Sequence, residues 1–143
     1  YPPNEPHTIQ CTSTEAAFFL LFKWASNSSN QSSPRPTSLG VDGAFWQSRV
    51  NQSELHRKTL CQPHPLANGS LLRVEALHIP EYQQAMAHTH DHDLMLILLR
   101  GQMHGLGHTT DAPAIIYYRA GTPHGLSRGP TAIDMLAFEF HPS

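Results

Sequence analysis

The chain has 143 residues, enough to bury one core and too few for two comfortable domains. Nine Lys and Arg stand against 11 Asp and Glu, a formal net charge of −2 with no basic run, which excludes the electropositive stripe that a nucleic acid or other polyanion requires. Histidine is the anomaly: there are 11, as many as Asp and Glu together, and neutral imidazole is the commonest metal ligand at pH 7.

In chain order, Tyr1 opens a polar, Pro-rich stretch that reads as a processed start. Ser13 or Thr14 caps a helix that carries Glu15 in its first turn and runs to about Ala25, with Phe18, Phe19, Phe22 and Trp24 available to pack on a neighbouring element. Its apolar run, Ala16 to Phe22, is far short of the ~20 residues of a membrane span, so none is expected. The Ser-, Asn- and Pro-rich stretch from Ser26 to Leu39 reads as a loop, Val41 to Val50 as a short strand around Ala44-Phe45-Trp46, and Pro63 and Pro65 as another loop. From Ser70 the chain becomes short β segments: Leu71–Ile79, Gln84–His90, Leu94–Leu99 stopped by Arg100-Gly101, Gln102–His108, Ala114–Tyr118, the turn Ala120–Pro123, and Ala132–Phe140. Six strands in about 70 residues predict a mostly all-β, antiparallel sandwich or closed barrel. Residues 70–143 are its core and residues 1–69 an extension packed on it, one domain overall.

Cys11 and Cys61 belong to no metal-binding spacing and are read as one disulfide closing a long loop. Four of the five asparagines, Asn27, Asn30, Asn51 and Asn68, head N-x-S sequons. A disulfide together with glycosylation sites points to a secreted, periplasmic or cell-surface location.

His88, His90 and His92 recur at every second residue, so in a strand they share one face. Two can reach one ion, but three spread over ~13 Å cannot, which leaves His92 outside the first shell. At this point the chain resembles the single-domain cupins. Their first motif, G-x5-H-x-H-x3,4-E-x6-G, is matched in spacing by His88, His90, Leu94 and Gly101. Their second, with its Pro-His turn, is matched more loosely by Ala120-Gly121-Thr122-Pro123-His124-Gly125. The resemblance covers roughly residues 70–143. It implies a cupin-type antiparallel barrel or jelly roll with His88, His90 and His124 as ligands of one divalent transition metal (Fe, Cu, Zn or Ni). Leu94 stands where the family usually has a ligating Glu, so the site is a neutral three-His variant with positions open to water or substrate. Such sites occur among cupin dioxygenases.

His104 is a candidate fourth ligand, sharing a strand face with His108. Arg73 and Tyr118 are candidate substrate contacts, Arg73 by holding a carboxylate. Met86, Met95, Met103 and Met135 read as core filler, and His7, His56, His64, His78 and His141 as surface residues. Gly125-Leu126-Ser127-Arg128-Gly129 has the letters of a nucleophile elbow without its strand and helix. Two functions remain: a metal-binding protein outside the cytosol, or a metal-dependent dioxygenase or isomerase acting on a small organic substrate. A homodimer is the expected assembly.

Overall fold

A computed structural model describes residues 56–105, 107–126 and 129–142. Nine strands are found there and no helix: β1 (His56–Pro65), β2 (Leu71–Ile79), β3 (Ala85–His88), β4 (Asp93–Arg100), β5 (Gln102–Gly105), β6 (His108–Asp111), β7 (Ala114–Tyr118), β8 (His124–Leu126) and β9 (Ile133–His141). The helix expected near residues 14–25 and the strand expected at 41–50 lie outside the described residues.

Five strands form one antiparallel sheet in the order β1-β2-β9-β4-β7. Opposite it, β3 pairs with β8 and β5 with β6, and β5 lies against β8. Gly105 permits that approach, since a Cβ there would sit 2.8 Å from the carbonyl oxygen of Gly125.

The register assigns each residue of the large sheet to a face. Leu94, Leu96 and Leu98 of β4 lie opposite Glu139, Ala137 and Met135 of β9, and opposite Tyr118, Ile116 and Ala114 of β7. This inner face joins Met103 and Leu126 from the other layer to make the main core. The alternate residues Leu72, Val74, Ile97 and Phe138 form a second buried cluster on the outer face. Both faces of β4 are therefore covered, which is why it reads as a continuous apolar run instead of an alternation. Burial of each such Leu or Ile contributes roughly 1.5–3 kcal/mol.

Several expectations are corrected. Pro63 and Pro65 lie in β1, not in a loop; β1 is an edge strand with register shifts, where a missing N–H leaves no ladder bond broken. Residues 102–108 are not one strand but a hairpin in which Gly105 faces His108. His78 is buried: its Nδ1 lies 2.6 Å from Asp134 Oδ1, and Asp134 Oδ2 accepts from Arg100 Nε at 2.7 Å. Met86 is 82% exposed, whereas Met103 and Met135 are core. Among the described residues no helix is long and apolar enough to cross a membrane.

Gly101 and Gly107 both have left-handed backbone, φ +87° and +86°, but only at Gly101 does a Cβ meet backbone, 2.1 Å from the Ala132 oxygen. Gly107→Ala should cost about 1 kcal/mol from φ alone and Gly101→Ala clearly more. Chemical denaturation of both variants measures the difference; equal losses would contradict the turn described.

Candidate metal centre

His88 ends β3 and is the cross-strand partner of His124 in β8, and His90 follows two residues on. The pairing β3–β8 is too short to hold these segments, and further bonds tie them. Gly121 N–H donates to the His90 carbonyl at 2.8 Å, and Ala120 N–H donates to Asp93 Oδ1, also at 2.8 Å. The Tyr117 hydroxyl donates a short bond to Asp93 Oδ2. The turn that leads into β8 is thereby fixed to the segment carrying His90. Its Gly121 has φ +77°, where a side chain would be strained.

The three rings converge, with centroids 4.6–4.9 Å apart and ligand atoms all within 4.8 Å of one another. His88 Nδ1 lies 2.8 Å from the Met86 carbonyl and His124 Nδ1 lies 3.0 Å from the Thr122 carbonyl. A carbonyl only accepts, so both Nδ1 atoms carry the proton and both Nε2 atoms keep a free lone pair. The Nε2 atoms of His88 and His90 are 3.2 Å apart. Two nitrogens bonded at ~2.0–2.1 Å to one tetrahedral ion are ~3.3 Å apart, so the donors sit at coordination spacing. Tyr118 stacks on His124 at 4.6 Å and sets its ring plane; burial raises the Tyr118 phenol above its ordinary range. Burial, and then the neighbouring imidazoles of His124, His92 and His88, hold His90 below the usual histidine range and favour the unprotonated form a metal needs. The residues present fit a divalent first-row metal.

Leu94 faces inward as expected, 6% exposed in the core cluster, and contributes no ligand. The carboxylate on that face comes from its neighbour across the ladder, Glu139, whose charge acts on His90. Glu139 Oε2 lies 3.1 Å from His141 Nε2 and 3.6 Å from Arg73 Nη1. Arg73 also bonds the buried Glu75, which Arg57 approaches at 3.3 Å. Arg73 is thus matched by the protein's own carboxylates.

His92 and His141 depart from expectation. His92 lies 4.7 Å from His90 and 4.0 Å from His141 between ring centroids, and Asp91, His92 and His141 form a second group with ligand atoms within 4.8 Å. His141 was missed, although it continues the phase of Ile133, Met135, Ala137 and Glu139 once β9 is extended to it; Asp91 carried no such signal. His104 is outside both groups: its Nδ1 lies 3.1 Å from the Thr109 hydroxyl, and its buried Nε2 has no partner among the described residues. His108, Met103, Gly105, Thr110, Ile116 and Tyr118 line a cavity of about 380 Å³, so Tyr118 forms the wall between cavity and His124.

The expected Cys11–Cys61 disulfide is not seen among the described residues. Cys61 is a free thiol in the irregular part of β1, donating to the Gln62 carbonyl at 3.3 Å, and burial raises its pKa. Cys11, Asn27, Asn30 and Asn51 lie outside the described residues. Asn68 is exposed in the β1–β2 turn, its Oδ1 accepting from Ser70 N at 3.1 Å.

The fold of two apposed antiparallel layers is shared with known structures. The chain has the cupin fold. An RmlC-like cupin from Shewanella frigidimarina superposes with a TM-score of 0.53 at 18% identity, covering 65% of this chain and 80% of that one. An RmlC-like cupin from Methanocaldococcus jannaschii with a double-stranded β-helix fold gives 0.53 at 11% identity, covering 65% and 85%. The polyketide cyclase RemF from Streptomyces resistomycificus gives 0.52 at 15% identity, covering 61% and 65%. No protein-family model matches the chain, and no curated protein matches it in sequence. At these identities the likeness shows the cupin fold alone.

The hydrogen bonds from Tyr117 and Ala120 hold Asp93 below the usual carboxylate range. A carboxylate with a depressed folded pKa contributes stability that is present above its unfolded value of ~3.9 and is lost as pH falls through the lower folded value. The stability gap between wild type and Asp93→Asn should therefore be constant above pH ~5 and close toward pH ~2. Denaturation across that range reads it; a pH-independent gap would refute this role for Asp93.

Proposed function

We propose that the chain is a secreted or envelope-exposed metal-binding protein of cupin type that holds one divalent transition metal (Fe, Cu, Zn or Ni) through His88, His90 and His124. One observation carries this reading: three imidazoles converge with the Nδ1 atoms of two of them tied to backbone carbonyls, so that Nε2 lone pairs face a common point. His124 is buried, His90 half-buried and His88 exposed, and lone pairs aimed at one point repel one another unless a cation or donor completes them. A neutral donor set of this kind suits borderline first-row ions and leaves coordination positions open. The location is supported by the exposed sequon at Asn68.

A second, catalytic reading is favoured by the cavity of about 380 Å³ beyond Tyr118, with its mixed lining of Met103, Ile116, Thr110 and His108. A metal at the three histidines would supply Lewis acidity toward a small molecule there. Tyr118 would orient that molecule, while Arg73, held by Glu75 and Glu139, would not.

Metal analysis of untagged protein purified without chelators should show bound metal, and His88→Ala, His90→Ala or His124→Ala should each weaken it strongly. His64→Ala and His108→Ala should not; equal losses from all five would mean a diffuse polyhistidine surface. Protons compete for the same lone pairs, so binding should hold at pH 7 and fall away as pH drops below the ordinary histidine value of ~6.5. The location has its own test: expression through a secretory pathway followed by glycosidase treatment should lower the intact mass, and Asn68→Gln should remove one glycan. An unchanged mass would withdraw the glycoprotein part of the reading.

A further inference from the structure

We infer that Asp91, His92 and His141 form a second divalent-metal site beside the three-histidine centre. The chain bends at Asp91 and His92, just before β4, so two successive side chains turn to the same side instead of alternating. Asp91 Oδ1 and His92 Nδ1 are 2.9 Å apart, close to the ~2.9 Å between neighbouring donors of an octahedral ion with ~2.05 Å bonds. From β9, His141 brings its ring to 4.0 Å from that of His92, tilted by 42°, and the three ligand atoms lie within 4.8 Å of one another.

Burial adds a separate observation. His92 is only 8% exposed, yet among the described residues its one hydrogen bond runs from Nδ1 to Asp91, whose side chain is 90% exposed. A hydrogen bond to a well-hydrated carboxylate gives little return for desolvating a ring. A cation bound between the two residues does, because it uses the same carboxylate and nitrogen as ligands.

The donor set differs in kind from its neighbour. Two imidazoles and one carboxylate carry a formal charge of −1, against zero for the three histidines, and suit divalent ions that accept mixed N and O ligands. His90 and His92 are 4.7 Å apart, so two bound cations would be close neighbours. Glu139, next to His141 and acting on His90, places a negative charge where their mutual repulsion is felt.

The test is titration of the full chain with Co2+ and separately with Zn2+, following heat and, for Co2+, visible absorption. Wild type should take up two equivalents. His141→Ala and Asp91→Ala should each take up one, with circular dichroism unchanged; the exposed Asp91 keeps the test valid if His141→Ala does not fold. The double variant His88→Ala/His124→Ala should retain one equivalent, which His141→Ala then removes. An equivalent count that neither His141→Ala nor Asp91→Ala lowers, whether wild type takes up one or two, would overturn the second site. The outcomes also separate the two centres: loss on Asp91→Ala with none on His88→Ala/His124→Ala would sink the three-histidine reading and leave this one standing.

Discussion

Everything at the mouth of the barrel depends on two backbone hydrogen bonds, from Gly121 to the His90 carbonyl and from Ala120 to the Asp93 carboxylate. The strands that carry the histidines are too short to position them unaided, since β3 has 4 residues and β8 has 3. Short ladders slip easily, and a one-residue slip would turn every side chain to the opposite face. The turn before β8 avoids this by being fastened to the segment between β3 and β4. That segment in turn runs into β4, which lies between β9 and β7 in the large sheet and buries Leu94, Leu96, Ile97 and Leu98. Ring positions at the rim are therefore inherited from the core: Leu96 and Leu98 hold β4, Asp93 extends it, and the turn follows Asp93.

The same register explains how the site manages without a carboxylate at position 94. Leu94 completes the hydrophobic layer beneath the histidines, and Glu139 faces the same interior from the adjacent strand. Moving the acid across one strand shifts it from the ring of His88, His90 and His124 toward His141 and Arg73. There its charge is shared, with Arg73 also held by Glu75, so it tempers the local field without occupying the convergent point. Electroneutrality at the three histidines must then come from a bound anion or from Asp91 and Glu139 nearby. This argues that the two histidine groups form one electrostatic unit.

The parts of this arrangement that were legible in the sequence share a property: they are set by local pattern. His88-x-His90, the Pro123-His124 turn and Gly101 are short motifs, and the strands from Leu71 onward announce themselves by alternation and turn residues. What was not legible depends on pairing. Pro63 and Pro65 look like a loop until β1 proves to be an edge strand, whose outward side needs no N–H. His141 looks like a tail residue until β9 is set against β2 along its whole length, Leu71 opposite His141. His78 looks like a surface histidine until the register puts it across from Asp134.

Holding the histidines in place without a cation is costly for the fold, and that cost bears on its energetics. His88, His90 and His124 stand with ring centroids under 5 Å apart, and the proton a lone imidazole would take at mildly acidic pH is disfavoured at His90 by burial and by its neighbours. Protonation of His90 at mildly acidic pH thus favours the unfolded chain. A cation that binds the folded state alone reverses this, adding RT ln(1 + [L]/Kd), about 2.7 kcal/mol at a hundredfold excess over Kd. Preorganised ligands lose little freedom on binding, so most of the intrinsic metal affinity is realised instead of being spent on ordering side chains. The backbone bonds through Nδ1, the stacking of Tyr118 and the fastened turn all act before the ion arrives. In this chain the core specifies the geometry, and the rim depends on its ligand for the stability that geometry gives up.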